Sequence, residues 1–318
     1  MMSMSESRPS ESLVPERGGV VHVQTKREIR ALLERCGLRP QKRYGQHFLI
    51  DGNLMRRLAA SAELGPADRV VEVGGGTGAL TDLLAARAGH VICIEIDRGL
   101  FALLEDRFRD TPHVTLLCGD ALESKHRLHP ALAEALEAHQ PGEAGGREGG
   151  PSAVKLVANL PYQVATPLLM NLLIDYPQVR RLCFTVQSEV GERIASPPGG
   201  KTYGPLSILA QAHCEISILA RLRPHTFWPP PTVDSVMMRM DVVRRPLTDA
   251  DRTKRFARFL RKVFDHRRKT LRTSLASFLD PETVDSLLAK VDGSRRPASL
   301  SVSEWLDLFA LLPPELPF

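Results

Sequence analysis

The chain has 318 residues and a mass of 35.2 kDa, long enough for about two domains of roughly 150 residues each. With 43% hydrophobic and 25% charged residues it has the make-up of a globular protein, which excludes collagen-like, coiled-coil and wholly disordered chains. The net charge of +5 is a mild pointer to a polyanionic partner, and no apolar run approaches the roughly 18 residues that cross a bilayer.

In chain order, residues 1–24 read as a disordered tail. The opening MMSMSESRPSESLVPERGG lacks the apolar stretch of a signal peptide, and Glu6, Glu11 and Glu16 argue against a transit peptide. Asn53–Leu64 predicts a helix, Arg69–Val73 a strand ending in glycines, and Gly78–Ala88 a helix. His90–Ile94, Arg98–Arg109 and Val114–Cys118 continue as strand, helix, strand. Val154–Ala158, Leu182–Val186 and Val233–Met240 predict three more strands. This alternation implies an α/β fold with a mainly parallel sheet and helices on both faces. Gly142–Gly150 is a glycine-rich insertion in one crossover. From Thr248 on, Thr248–Phe264, Arg267–Phe278, Glu282–Lys290 and Ser301–Leu311 predict helices alone. The chain therefore divides into residues 25–244, an α/β domain, and 245–318, a small all-helical domain.

The five cysteines form no CxxC pair, so neither a zinc site nor a redox motif is expected. Cys93, Cys118 and Cys183 lie in apolar strand-like runs and are expected to act as small hydrophobes. Their usage suggests a reducing compartment, hence the cytoplasm.

Val70–Gly78 (VVEVGGGTG) reads as strand, tight loop and helix start. Glycines let the backbone turn sharply and approach a ligand closely. Gly74 and Gly76 sit where a dinucleotide would lay its pyrophosphate or S-adenosylmethionine (AdoMet) its methionine part. Glu95, 21 residues after Gly74, ends the next strand, where a carboxylate accepts hydrogen bonds from both ribose hydroxyls; Asp97 suits a helix cap. Asp120 ends the third strand and can accept from an adenine amino group. These strand ends favour an adenosine cofactor without separating NAD from AdoMet.

Asn159-Leu160-Pro161-Tyr162 after the fourth strand is more specific. The exocyclic amine of adenine is a poor nucleophile because its lone pair is delocalised into the ring. The side-chain oxygen of Asn159 and the carbonyl of Leu160, turned by Pro161, offer acceptors for its two hydrogens. The nitrogen can then pyramidalise toward a sulfonium methyl, and Tyr162 supplies a π-face for the base. Such a site works by positioning and electrostatics.

The sequence resembles the ribosomal RNA adenine N6,N6-dimethyltransferases, and among them the bacterial small-subunit (16S) type linked to kasugamycin sensitivity. The resemblance runs from about Gln41 to Phe278. It is carried by Gly45–Asp51 (GQHFLID), Glu72–Gly78, Glu95-Ile96-Asp97, Gly119-Asp120-Ala121 and Asn159–Leu168. It continues through Gln187–Val190, Tyr203–Ser207, Phe227–Ser235 (FWPPPTVDS) and Arg267–Leu271 (RRKTL).

The resemblance implies a Rossmann-like class I AdoMet-dependent methyltransferase sheet. It implies cofactor contacts at His47, Leu49, Gly74, Gly76, Glu95, Ile96, Asp120, Ala121 and Asn159. The reaction would be carried by Asn159, Leu160, Pro161 and Tyr162, with Phe227 stacking on the flipped adenine opposite Tyr162. No metal is required. Asn is usual in the family at the His47 position; a histidine there could still hydrogen-bond the methionine part. Pro is often found where Gly75 stands, which is expected only to loosen the turn, and Thr273 replaces a common Asn.

Ten Lys/Arg against two Asp lie between Asp251 and Arg272. In the light of the resemblance, Arg258, Arg261, Lys262, Arg267, Arg268, Lys269 and Arg272 are expected to meet ribosomal RNA phosphates, with Lys42 and Arg43 as a second basic patch. Lys201 and Tyr203 fall in an expected substrate loop. The implied activity is dimethylation of N6 on two adjacent adenosines near the 3′ end of 16S rRNA in the 30S particle, by a monomer, with a role in small-subunit biogenesis. The alternatives are a large-subunit rRNA adenine dimethylase, an assembly factor whose catalysis is dispensable, and an NAD-dependent oxidoreductase.

Overall fold

The computed structural model describes residues 21–138, 153–243, 247 and 250–316. The glycine-rich insertion, most of the expected tail and the junction at residue 244 lie outside them. The tail does not extend through residue 24. Val21, Val23 and Gln24 are buried, and Gln24 exchanges hydrogen bonds with Thr77: its Oε1 accepts from Thr77 Oγ1 at 2.6 Å and its Nε2 donates to Thr77 O at 3.4 Å.

The first half of the chain runs α1 (Lys26–Arg35), β1 (Phe48–Leu49), α2 (Gly52–Ser61), β2 (Arg69–Val73), α3 (Ala79–Ala85), β3 (His90–Glu95), α4 (Arg98–Arg107) and β4 (Val114–Cys118). A short hairpin, β5 (Leu122–Ser124) and β6 (Arg127–Leu128), precedes α5 (Pro130–Glu137). Next come β7 (Val154–Asn159), α6 (Ala165–Asp175), β8 (Val179–Gln187), α7 (Ser188–Ala195), α8 (Pro205–His213), β9 (Cys214–Leu222), β10 (Phe227–Trp228) and β11 (Ser235–Val242). The helices α9 (Ala250–Phe264), α10 (Leu271–Leu275), α11 (Pro281–Leu288) and α12 (Val302–Ala310) follow.

Seven strands form one sheet in the order β4-β3-β2-β7-β8-β11-β9. The pairings from β4 to β8 are parallel, and β11 runs antiparallel to both β8 and β9. Alternate side chains serve opposite faces. Val71, Ile92, Leu156 and Phe184 pack toward α5, α6 and α8, while Val70, Val91, Val157 and Met237 pack toward α2 and α3. Both faces are covered, so the central strands are apolar almost throughout.

The helical region has its own core of Phe256, Phe259, Leu260, Leu287, Trp305 and Phe309, which also takes in Tyr203, Ile208 and Leu209 around α8. Tyr203 is thus fully buried and is removed from the expected substrate loop. Lys254 joins α9 to α6 by a 2.7 Å ion pair with Asp175. The helix expected over Arg267–Phe278 is shorter. Thr270 caps α10 by accepting from the Thr273 amide, so the residues before it close in turns. Cys118 ends the edge strand β4 and is exposed, unlike buried Cys93 and Cys183; an edge strand leaves such a terminal side chain uncovered.

Candidate active site

Five parallel strands end on one side of the sheet, and the loops beyond them build the site. After β2 the glycine loop turns with φ of 82° at Gly74, 58° at Gly76 and 82° at Gly78, values that favour glycine. Gly75 has a different task. A Cβ there would stand 2.4 Å from Cys93 Sγ and 2.9 Å from Leu104 Cδ1. The loop lies directly on β3 and α4, and this position has no room for the expected alternative, proline.

Glu95 ends β3 inside the site. Its Oε2 accepts from the Gly76 amide and its Oε1 from the Asp97 amide, each at 2.9 Å. The carboxyl is held rigidly against the glycine loop with lone pairs to spare, and burial raises its pKa. Asp97 caps α4, as its position suggests, and also accepts from Gln46 Nε2 at 3.1 Å. Asp120 is exposed and accepts from the Leu122 amide at 3.0 Å.

Beneath the loop sits a carboxyl that no motif reading singled out. Glu72 is 1% exposed, accepts from Thr81 Oγ1 at 2.6 Å, and has its pKa pushed up to about 8, chiefly by burial and secondarily by the nearby carboxylates of Glu95 and Asp82.

Asn159 closes β7 and makes two opposed contacts. Its Nδ2 donates to the main-chain oxygen of His47 at 2.8 Å, and its Oδ1 accepts from Thr185 Oγ1 at 2.5 Å. The amide therefore has a fixed orientation, and Oδ1 keeps a second acceptor site. Tyr162 is pinned at its far end, with its hydroxyl 2.8 Å from Ser235 Oγ. The ring of His47 stacks on it, centroids 5.6 Å apart and planes at 28°.

A pocket of about 270 Å³ occupies this ground. Gly74, Gly76, Glu95, Ile96, Asp120, Ala121, Asn159, Leu160, Pro161, Tyr162 and His47 all line it, as does Arg43. Two expected residues do not. Leu49 and Phe227 are 3% and 2% exposed and face each other across the β1–β10 pair, buried among Met55, Leu58 and Met237. The neighbouring Trp228 instead lines a second, wider cavity of about 1100 Å³, together with Arg30, Arg39, Lys42 and Pro229–Pro231. Gln46, His47 and Tyr162 line both cavities and form the junction between them. The fit to an adenosine-type methyl donor is good. The strand-end carboxyl, the close-turning glycines and the apolar walls at Ile96 and Leu100 lie together.

On the helical region, Arg258, Arg261, Lys262, Arg268, Lys269 and Arg272 are exposed. Arg272 pairs with Asp285 at 2.7 Å, and Lys262 lies 5.6 Å from the centre of the Phe278 ring. Arg267 is turned inward and donates to the carbonyls of Gly200 and Lys201 at 3.1 and 2.5 Å, joining the segment after α9 to the loop before α8. Thr185, Ser235, Gln24 and Trp228 were assigned no role by sequence reasoning. Their partners are 26 to 73 residues away where a bond exists.

A seven-stranded sheet with one antiparallel strand near its edge, a glycine loop, an acidic second-strand end and an Asn-Leu-Pro-Tyr loop at one pocket define a class I methyltransferase. Comparison with known proteins narrows this. The profile described as ribosomal RNA adenine dimethylase matches residues 37–313, and the chain belongs to that family. Proteins called ribosomal RNA small subunit methyltransferase A are 40% identical over 281 residues in Moorella thermoacetica (87% of this chain, 94% of that one) and 38% identical over 285 residues in Pelotomaculum thermopropionicum (88% and 94%). A third, from Bacillus cytotoxicus, is 35% identical over 299 residues (92% and 98%). The fold is shared with a dimethyladenosine transferase from Plasmodium falciparum (TM-score 0.64, 22% identity, 82% of this chain and 96% of that one). It is shared as well with the 23S rRNA methyltransferase ErmE (TM-score 0.59, 24% identity, 83% and 99%).

Proposed function

We propose that this enzyme transfers methyl groups from AdoMet to N6 of two adjacent adenosines near the 3′ end of 16S rRNA, with the 30S particle as substrate. The observation that carries the reading is Asn159, locked between His47 O and Thr185 Oγ1, beside a pinned Tyr162 at the junction of the two cavities. AdoMet supplies the electrophilic methyl group. Glu95, with both oxygens already oriented by backbone amides, accepts from the ribose hydroxyls. Asp120 and Ile96 hold the adenine ring of the cofactor.

The target base enters from the wider cavity. Asn159 Oδ1 and Leu160 O accept from its amine and turn the nitrogen lone pair toward the inner pocket. Tyr162, held by Ser235, presents its ring to the base and to the developing positive charge. Phe227 is buried against Leu49 and out of reach of the base, and Trp228 offers an aromatic surface at the outer cavity. Arg258, Arg261, Lys262, Arg268, Lys269 and Arg272, with Lys42 and Arg43, meet rRNA phosphates.

The small-subunit reading is favoured by the names of the relatives, which match nearly their whole length. We place the enzyme in the cytoplasm as a monomer; among the described residues no helix is long and apolar enough to cross a membrane, and no cluster suits a metal ion.

Tritiated methyl transfer from AdoMet to unmethylated 30S particles, followed by nucleoside mass spectrometry, tests the reading. N6,N6-dimethyladenosine is expected from 30S and not from 50S particles. Label on 23S rRNA would point to the large-subunit reading, and 30S binding with no label would point to an assembly factor.

A further inference from the structure

Trp228 and Phe48 stand between the two cavities. Phe48 lines the inner pocket and not the outer one, and Trp228 the outer and not the inner. Their rings stack, with centroids 6.2 Å apart and planes at 23°. Both pack on a cluster of Ile29, Leu33 and Leu100 from α1 and α4, so the indole is already ordered before any ligand arrives. Gln187 ends β8 and lines the outer cavity as well. It lies opposite Ser235 in the β8–β11 register, and directly opposed residues share a face, the one from which Ser235 meets the Tyr162 hydroxyl. Three cations, Arg30, Arg39 and Lys42, line the cavity against one carboxylate, Glu34, which lies 3.8 Å from Arg30. Cations that follow phosphates beside an aromatic face for a base are the parts of a single-strand binding site. The cavity, about 1100 Å³ against about 270 Å³ for the inner pocket, joins that pocket at Gln46, His47 and Tyr162. In the reading above the target base passes this junction while still bonded to its strand, so the adjoining nucleotide stays on the outer side.

We propose that the outer cavity is a subsite for the nucleotide next to the target, with its base on the Trp228 ring, its edge at the Gln187 amide and its phosphates against Arg30, Arg39 and Lys42. This rests on the dimethylase reading and deepens it. Stacking accepts any base, so Trp228 asks only that a base be present. A side-chain amide pairs with N6 and N7 of adenine together, so Gln187 adds a preference for adenine over a pyrimidine. The enzyme thus recognises a dinucleotide step and not a lone adenosine. A strand has polarity, and the subsite lies on one side of the target. Only one adenosine of the adjacent pair therefore has the other as its occupant, and that one is methylated faster.

The test uses 30S particles reconstituted with 16S rRNA in which either adenosine of the pair is replaced by uridine or by an abasic residue. Methylation of the remaining adenosine is followed at limiting particle and saturating AdoMet, so that the rate reports kcat/KM for the particle. With the wild-type protein, an abasic neighbour on one side, and not on the other, is expected to slow transfer roughly 10- to 100-fold, and uridine to slow it less. Trp228→Ala brings the intact particle down to the abasic level and loses the dependence on the neighbour, and Trp228→Phe restores both. Gln187→Leu keeps the loss at the abasic site and closes the gap between adenosine and uridine. Each comparison is a ratio within one protein, so a general loss of folded enzyme cancels, and Gln187→Leu carries the test should Trp228→Ala not fold. Wild-type rates that ignore the neighbour on both sides would overturn the subsite while leaving the dimethylase reading in place. So would a Trp228→Ala protein that keeps the full neighbour dependence, or one slowed equally on every particle with a lowered melting temperature, which would make Trp228 only a support for Phe48. No transfer by the wild-type protein to intact 30S particles would remove both the subsite and the reading beneath it.

Discussion

Asn159 and His47 are 112 residues apart in sequence and joined by a 2.8 Å hydrogen bond from the side-chain amide to the main-chain carbonyl. The bond makes one unit of the loop after β7 and the segment that covers the pocket. It also decides which end of the amide faces the base: with Nδ2 committed to His47 O, only Oδ1 is left to accept from an adenine amine.

Thr185 completes that arrangement from β8. Its hydroxyl is buried and donates to Asn159 Oδ1. Thr185→Val keeps the shape and removes the donor. We expect kcat to fall about tenfold with the KM for AdoMet nearly unchanged, and stability to drop by about 1 kcal/mol. A raised KM with an unchanged kcat would show that Thr185 acts on the cofactor and not through Asn159.

Gly75 gives a packing prediction. Gly75→Ala puts a methyl against Cys93 Sγ and Leu104, both fully buried, so the loop must lift off β3. Overpacking of this kind costs about 1–3 kcal/mol. Because Gly74 and Gly76 move with it, AdoMet affinity should fall as well. Paired thermal melts and calorimetric titrations check both effects, and a stable variant with normal affinity would contradict the observed contact.

Much of this was legible in the sequence. Arg69–Val73 and Val114–Cys118 are strands with the expected ends, because β-branched runs closed by glycine or polar residues leave little choice. Glu95 and Asn159 were visible as polar residues ending apolar strands. Thr25 and Glu28 form a capping box that starts α1, a helix absent from the expected elements, which begin at Asn53. Helix α6 was hidden because Ala165–Asp175 is apolar on nearly every side and lacks an amphipathic period. Phe227 was placed at the target base by likeness of motif; its burial depends on Leu49, which meets it from the other end of the domain. Thr185 and Ser235 reach partners 26 and 73 residues away, and no local spacing announces those partners.

Glu72 links stability to pH. An ordinary glutamate ionises near 4.5, while burial pushes this one to about 8. Between those values the folded protein keeps a proton that the unfolded chain releases. The stabilisation is full below the lower value, shrinks as pH rises, and is gone above the upper one. The effect is on the order of a few kcal/mol. Glu72→Gln preserves an acceptor for Thr81 and cannot ionise. Melting temperatures should therefore converge near pH 5 and separate by about pH 8.5, with the variant the more stable. Parallel curves for the two proteins would mean that Glu72 does not hold its proton in the fold.

Arg267 and its neighbours separate architecture from RNA binding. The guanidinium of Arg267 is spent on the carbonyls of Gly200 and Lys201, while Arg268 and Lys269 are exposed. Arg267→Ala should lower the melting temperature and leave the salt dependence of 30S binding nearly unchanged, since no phosphate contact is lost. The double change Arg268→Ala, Lys269→Ala should do the reverse. Each lost contact flattens the slope of log affinity against log salt by about 0.7–0.9. Binding measured at several salt concentrations distinguishes the cases. A flattened slope in Arg267→Ala with an unchanged melt would mean that the side chain leaves its carbonyls and turns to the RNA.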